Sequence, residues 1–385
     1  MSLNNYFLPH ILFIKLFNVK YRKILLVYCI CLLALIASCS KPLAVENMGI
    51  FTPSRINDVA GQDGFSSIPL NESVMMWTFG DTILGKWDSP PSVSTTFEES
   101  ARFREMIPNS LAFSDIPTDA NITDLAFHYY RNKNKVTTFI SYNKNENPMK
   151  IRFWALDGIK INDSVYVYYV KIVIKNRTSP ELFTVSGTGL AQWKQPVNWK
   201  IGEAVNFKRL GILFNGNYPV FGDSVISLNG WLYILGHKKT GPESVSAFIA
   251  RVKTHEVTKS DCYEYLNAEG TWSGNIRDAI QLFQDVAGEP SLSFNKKLGS
   301  FVIIYCSFDG SIKALTFNNF EKLVPCSAET IYRPPLLQPI PQRPLLFYYS
   351  GKEIVATENA LYAIYINPAI YQPILIKIPY PVLSN

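Results

Sequence analysis

The sequence predicts an all-β fold, a five-bladed β-propeller of four-stranded antiparallel blades. Three observations point there. Aromatic residues make up 14% of the 385, and they recur with Val and Ile in short bursts; flat and β-branched side chains pack well on a pleated surface. Two connections between such bursts carry tight-turn chemistry. Only Thr96–Glu105 and Asn275–Phe283 suit a helix, so alternating β and α units are not supported. An all-β chain of this length must close or cover its sheet edges, and radial repetition of blades does so. Dividing the roughly 330 residues after Asp58 by five leaves about 65 per blade, a length that suits blades with long loops.

Taken in order, strands are expected at Val74–Phe79, Val136–Ser141, Ile151–Leu156, Val165–Ile174 and Gly211–Phe214. The run Ser224–Gly236 folds back on itself: Asn229-Gly230 sits between alternating segments, and both residues tolerate the positive φ of a hairpin turn. Ala247–Val252 follows. Asp309-Gly310 plays the same part between Ser300–Ser307 and Ile312–Phe317. Glu353–Asn367 and Ile374–Ile378 complete the series. Ser186-Gly187-Thr188-Gly189 lacks the Lys and spacing of a phosphate-binding loop and reads as a turn.

Ahead of this body, Lys20-Tyr21-Arg22-Lys23 precedes the apolar run Ile24–Ile36, the order of a signal peptide. At about a dozen residues the run is short for a span, which needs about 20. Leu35-Ile36-Ala37-Ser38-Cys39 resembles a bacterial lipobox, which implies cleavage before Cys39 and lipid on its thiol. An uncleaved anchor helix extended by Tyr6 to Phe17 is the alternative. Ser40, rather than Asp, follows the Cys and points to the outer membrane. Residues 39–57 read as a polar tether, and 58–385 as one propeller domain. The formal charge of +6 includes Lys15, Lys20, Arg22 and Lys23 of the leader, so the body carries only +2. That balance, with no Lys/Arg stripe, disfavours nucleic acid as a partner. Cys262, Cys306 and Cys326 remain in the body, too few for a disulfide framework, and buried apolar thiols are the simplest reading. His10, His128, His237 and His255 are scattered, so no protein-built metal site or cofactor is expected.

Gly61 to Gly85, GQDGFSSIPLNESVMMWTFGDTILG, resembles the opening of the bacterial family called domain of unknown function 4185, related to five-bladed glycosidase-like propellers. Further matches follow in order: Ile107-Pro108-Asn109-Ser110, Phe221-Gly222-Asp223-Ser224, Ile249-Ala250-Arg251-Val252, Tyr263-Glu264-Tyr265, Gly288-Glu289-Pro290-Ser291 and Tyr371-Gln372-Pro373. The family's His-Pro-Glu-like segment is missing; Tyr349-Ser350-Gly351-Lys352-Glu353 lies in its place. The resemblance implies a carbohydrate partner and carboxylates projecting into a central funnel. It leaves room there for a single calcium or sodium ion.

Glycoside hydrolysis needs two carboxyl groups facing each other across a sugar. By the resemblance Asp63, in a Gly-flanked turn, would be nucleophile or base, and Glu289, directly before a strand, the general acid. Burial among aromatics would raise the Glu289 pKa enough to hold its proton near neutrality. Asp81 would be a third carboxylate that tunes the pair. Two of the three have a structural alternative: Asp63-Gly64 as a turn that caps backbone N–H groups, and Asp81 as a strand-end cap, a reading strengthened by the echo at Asp223. Trp87, beside a Pro-rich stretch, is the expected stacking platform for a sugar, and Asn109 a second substrate contact. The leading reading is an envelope-anchored glycosidase-like lipoprotein that binds or cleaves a glycan; a non-catalytic binding or scaffold lipoprotein is the alternative.

Overall fold

Strand Ser164–Ile174 shows how this sequence builds its core. Val165, Val167 and Tyr169 pack on one side against Ile68, Met76 and Phe113, while Tyr168, Val170 and Ile172 pack on the other against Phe221, Leu232 and Ile234. Side chains of a strand alternate between faces, so a sheet buried on both faces reads as a continuous apolar run. Ser300–Cys306 repeats the device. Phe301, Ile303 and Tyr305 meet Leu235 and Ile249, whereas Val302, Ile304 and Cys306 meet Leu361, Ala363 and Ile376.

The computed structural model describes residues 44–52, 58–88, 101–175, 183–241, 244–320, 328–337 and 347–383. Residues from Val45 onward form one compact unit. The fold is all-β: among the described residues there are seven antiparallel sheets and, besides strands, only short 3-10 turns. Five of these sheets have as one edge strand Ser66–Pro69, Ile151–Ile161, Val220–Leu228, Ser291–Asn295 and Tyr349–Ala356, respectively. These five edge strands touch one another in cyclic order, the last returning to the first. A separate sheet of Val59–Gln62, Thr82–Trp87 and Ala101–Ile107 is inserted into the first.

The ring is fastened by its ends. Glu46–Ile50, expected as part of a polar tether, is a strand that pairs with Gln372–Pro379 in the last sheet, Ile50 opposite Ile374. Phe51 then packs against Phe65 and Trp77 of the first sheet region and Ile364 of the last.

Both hairpins form, with one difference. Asn229 (φ 51°) and Gly230 (φ 79°) make a two-residue turn in which both residues are left-handed. In the second, only Gly310 (φ 79°) is left-handed; Asp309 instead accepts from the Ser311 N–H and hydroxyl. The two helical expectations fail. Residues Ala101–Ile107 are a strand, residues 96–100 lie outside the described residues, and Asn275–Phe283 holds one 3-10 turn, Ile276–Asp278, capped by Asn275. Ser186–Gly189, read as a turn, lies within the strand Phe183–Lys194. A Cβ on Gly189 would sit 2.4 Å from the Tyr169 ring, so glycine here admits an aromatic neighbour, the close-approach use of glycine in strands.

Cys306 is buried and Cys262 partly exposed, both as free thiols. The leader, Cys39 and Cys326 lie outside the described residues. Among those described, no helix is long and apolar enough to cross a membrane.

Candidate active site

The five edge strands enclose a cavity of about 460 Å³ whose lining includes Ser66, Asp157, Ser224, Ser291, Lys352 and Glu353, at least one residue from each. At one end of these strands the chain gathers its carboxylates. Asp63 lies three residues before Ser66–Pro69, Glu289 two before Ser291–Asn295, and Asp223 within Val220–Leu228.

Glycine fixes the Asp63 turn. Gly64 is left-handed (φ 61°) and a Cβ on it would meet the Gly80 nitrogen at 3.0 Å. A Cβ on Gly80 would in turn sit 2.6 Å from Asp63 Oδ1. The Gly80 N–H donates to the Asp63 carbonyl at 2.9 Å, and the Asp63 N–H to the Asp81 carbonyl at 3.4 Å. Asp63 and Asp81 are thereby carried on two loops laced together through their backbones. From the far end of the sequence, the Tyr371 hydroxyl donates to Asp63 Oδ2 at 2.5 Å and the Tyr349 hydroxyl to the same oxygen at 3.0 Å. Tyr371 reaches it by lying over Gly61, where a Cβ would stand 2.8 Å from its ring.

Glu289 accepts from the Ser350 hydroxyl at 2.8 Å. Ser350 is left-handed (φ 51°), a conformation that costs a side-chain-bearing residue on the order of 1–2 kcal/mol. It falls in an irregularity between Tyr349 and Lys352. Similar irregularities occur at Ala155/Gly158, which frees Asp157, and at Phe221/Ser224, which frees Asp223. Such bulges re-aim side chains next to functional sites.

Electrostatics tie the group together. Burial and the charge of Asp81, with a further push from Glu289, hold the Asp63 pKa well above the usual carboxylate range against the opposing bonds from Tyr371 and Tyr349. Asp81 is raised by burial, opposed by Arg152, whose Nη1 stands 3.4 Å from Asp81 Oδ1, and by the Trp154 indole. That indole N–H is buried without a partner in hydrogen-bond geometry among the described residues. Asp223, fully buried, is pushed by burial up to about 6. It faces His237 Nδ1 at 2.7 Å; burial pulls the imidazole down, and the Asp223 charge outweighs it. Like charges crowded into one site cannot all ionise freely, which is how neighbouring carboxyl groups come to differ in protonation.

Two expected substrate contacts belong to the framework instead. Trp87 is 4% exposed, packs among Ala60 and Ile83, and donates its indole N–H to the Ala60 carbonyl at 2.6 Å. Asn109 is fully buried: its Oδ1 accepts from the Phe139 and Ile140 N–H groups, and its Nδ2 donates to the Phe153 and Ile140 carbonyls. The run expected at Val136–Ser141 forms only Lys135–Val136, and the Phe139 and Ile140 N–H groups bond this side chain. Tyr349, Tyr371, Ser350 and the Asp223–His237 pair escaped sequence reasoning. The signal for the last was present in Phe221-Gly222-Asp223-Ser224, whose Gly222 (φ 120°) lies against Tyr168.

A family model described as "Domain of unknown function (DUF5005)" matches residues 50–315. This chain belongs to the DUF5005 family. The resemblance to domain of unknown function 4185 is corrected by that match: the short Gly-Asp and aromatic motifs that suggested it mark turns and bulges of the fold, and one of them, Phe-Gly-Asp, occurs twice in this chain. No curated protein matches the DUF5005 chain in sequence. Its fold is shared by a provisionally assigned hydrolase from Bacteroides ovatus ATCC 8483, at 17% identity over 85% of this chain and 87% of the other, with a TM-score of 0.60. More distant similarity extends to a GH43_1 enzyme from Xanthomonas citri (9% identity, 86% and 91% covered, TM-score 0.45). An endo-arabinase from Bacteroides thetaiotaomicron VPI-5482 is comparable (11%, 87% and 97%, TM-score 0.46).

Proposed function

We propose that this DUF5005 chain is a glycoside hydrolase built as a five-bladed propeller and held at the bacterial envelope by lipid on Cys39. The observation that supports the chemistry is that Asp63 feels the charges of both Asp81 and Glu289, and that Asp63 and Glu289 each stand just before an edge strand that lines the central cavity. The cyclic contact of five edge strands supports the blade count.

In this reading Glu289 gives its proton to the glycosidic oxygen as the bond from that oxygen to the anomeric carbon breaks. Asp63 attacks the anomeric carbon or takes a proton from the water that does so. A base works best when its pKa lies near the working pH; burial and Asp81 lift Asp63 in that direction, while Tyr349 and Tyr371 steady its ionised form. Asp81, held by Arg152, tunes and orients rather than touching the reacting atoms.

The test is hydrolysis of a glycan panel by the protein and by E289Q. Turnover by the wild type that E289Q lacks is expected, and undiminished turnover by E289Q refutes the assignment of the acid.

For the anchor, the lipobox-like Leu35–Cys39 is the support. Only residues 40–45 separate Cys39 from the strand Glu46–Ile50, so the substrate would be an envelope or external glycan. Incorporation of radiolabelled palmitate into the wild type and not into C39A is expected; equal labelling of both removes the lipid from the proposal.

A further inference from the structure

We infer that Phe308, Phe347 and Tyr349 form a stacking strip that receives consecutive pyranose units of an oligosaccharide and leads them to Asp63 and Glu289. The inference rests on the hydrolase reading above. It replaces Trp87, which the fold consumes, with Phe308 and Phe347, which solvent reaches, and with the half-buried ring of Tyr349 at its inner end.

Phe347 and Tyr349 are two residues apart on an extended segment and so share a face. Tyr348, between them, points the other way: it is 6% exposed and donates its hydroxyl to the Pro335 carbonyl at 2.6 Å. Phe347 is 40% exposed. Its ring centroid lies 6.3 Å from that of Tyr349, whose hydroxyl touches Asp63 and whose Cβ borders Gly288, the neighbour of Glu289.

Phe308 prolongs the strip outward. It is 38% exposed, and its ring centroid lies 5.1 Å from that of Phe347. The turn that carries it is locked on every side. The Ser307 N–H donates to the Ser311 carbonyl and the Gly310 N–H to the Ser307 carbonyl. Asp309 Oδ1 takes both the N–H and the hydroxyl of Ser311, and the Ser307 hydroxyl bonds Asp285. A rigid turn that holds an apolar ring in water gains nothing for folding from that exposure, and exposed apolar surface rimmed by polar groups marks a binding site.

The rim suits a sugar. Asp285 pairs with Lys313 and Asp309 with Arg333, which places donors and acceptors for hydroxyl groups beside the rings. The apolar faces of pyranoses stack on aromatic rings; Phe308, Phe347 and Tyr349 meet edge to face, at 61° and 67°, so each ring offers its own face and the series offers room for more than one unit. An oligosaccharide, rather than a single sugar on a small leaving group, is the matching substrate class.

The test takes the full-length chain in detergent with xylo-, arabino-, manno- and cello-oligosaccharides, graded from monosaccharide glycosides to hexasaccharides. KM should fall as the substrate lengthens, and F308A and F347A should each raise KM for the longest cleaved substrate by roughly tenfold with little change in kcat. F308Y, which keeps a ring, should restore the wild-type KM and so separates loss of stacking from damage to the turn. A KM independent of chain length, or one unmoved by F308A and F347A, overturns the strip while hydrolysis stands. If the wild type cleaves nothing on the panel and E289Q binds nothing, the hydrolase reading falls and takes the strip with it.

Discussion

Tyr371 donates its phenolic proton to Asp63 Oδ2 at 2.5 Å across 308 positions of sequence. A donor on that oxygen favours the ionised carboxylate, so it opposes the rise that burial and Asp81 impose. Y371F removes the donor and lets the Asp63 pKa climb further. With Asp63 as base, the acidic limb of the pH profile of kcat/KM should move to higher pH, while the alkaline limb stays. Y349F, losing the longer bond of 3.0 Å, should shift the same limb less. Unmoved limbs in both variants would remove Asp63 from the base role.

Ser350 combines strain with a contact to Glu289. S350G and S350A both delete the hydroxyl that Glu289 accepts from, but only glycine adopts φ 51° without cost. The two variants should therefore lose kcat/KM alike, by about tenfold if the bond orients the acid. S350G should be the more stable by about 1 kcal/mol. Denaturant titration beside kinetics separates the two effects; equal stabilities would mean that the left-handed backbone carries no strain.

What the sequence disclosed and what it hid follow one physical line. Asn229-Gly230 was legible because a hairpin turn is decided by its own two residues. Asp63 and Glu289 stood out because flanking glycines and a proline mark backbone that positions a side chain. Tyr349 and Tyr371 did not, since their meeting at Asp63 requires the ring to close across almost the whole chain. The pairing of Glu46–Ile50 with the last sheet was hidden for the same reason. Trp87 misled because the proline stretch after it suggested a loop, whereas Thr82–Trp87 is a strand whose last side chain turns inward.

Asn109 tests the correction of its own role. Its amide meets two N–H groups and two carbonyls in a site without solvent. N109A leaves the Phe139 and Ile140 N–H groups buried and unbonded, each costing roughly 1–3 kcal/mol. A loss of about 3 kcal/mol or more in unfolding free energy is expected, with KM unchanged in whatever protein remains folded. A raised KM at unchanged stability would return Asn109 to the substrate.

Glu353 lines the central cavity and gives the fold a pH dependence whose sign is fixed. Burial pushes its pKa from 4.5 up to about 7, which the Ser293 hydroxyl only partly opposes. Below about pH 4.5 the folded and unfolded states both hold the proton, and the group contributes no difference. Between that value and about 7 the folded state keeps a proton that the unfolded state has lost, so stability falls as pH rises. Above about 7 the whole cost is in force, at most about 3 kcal/mol for a shift of this size. E353Q keeps an acceptor for Ser293 but cannot ionise. It should match the wild type near pH 4.5, exceed it at pH 8 by about 2–3 kcal/mol, and flatten the curve between. Denaturant melts at the two pH values decide the matter, and parallel wild-type and E353Q curves would show that Glu353 ionises as freely in the folded chain as in the unfolded one.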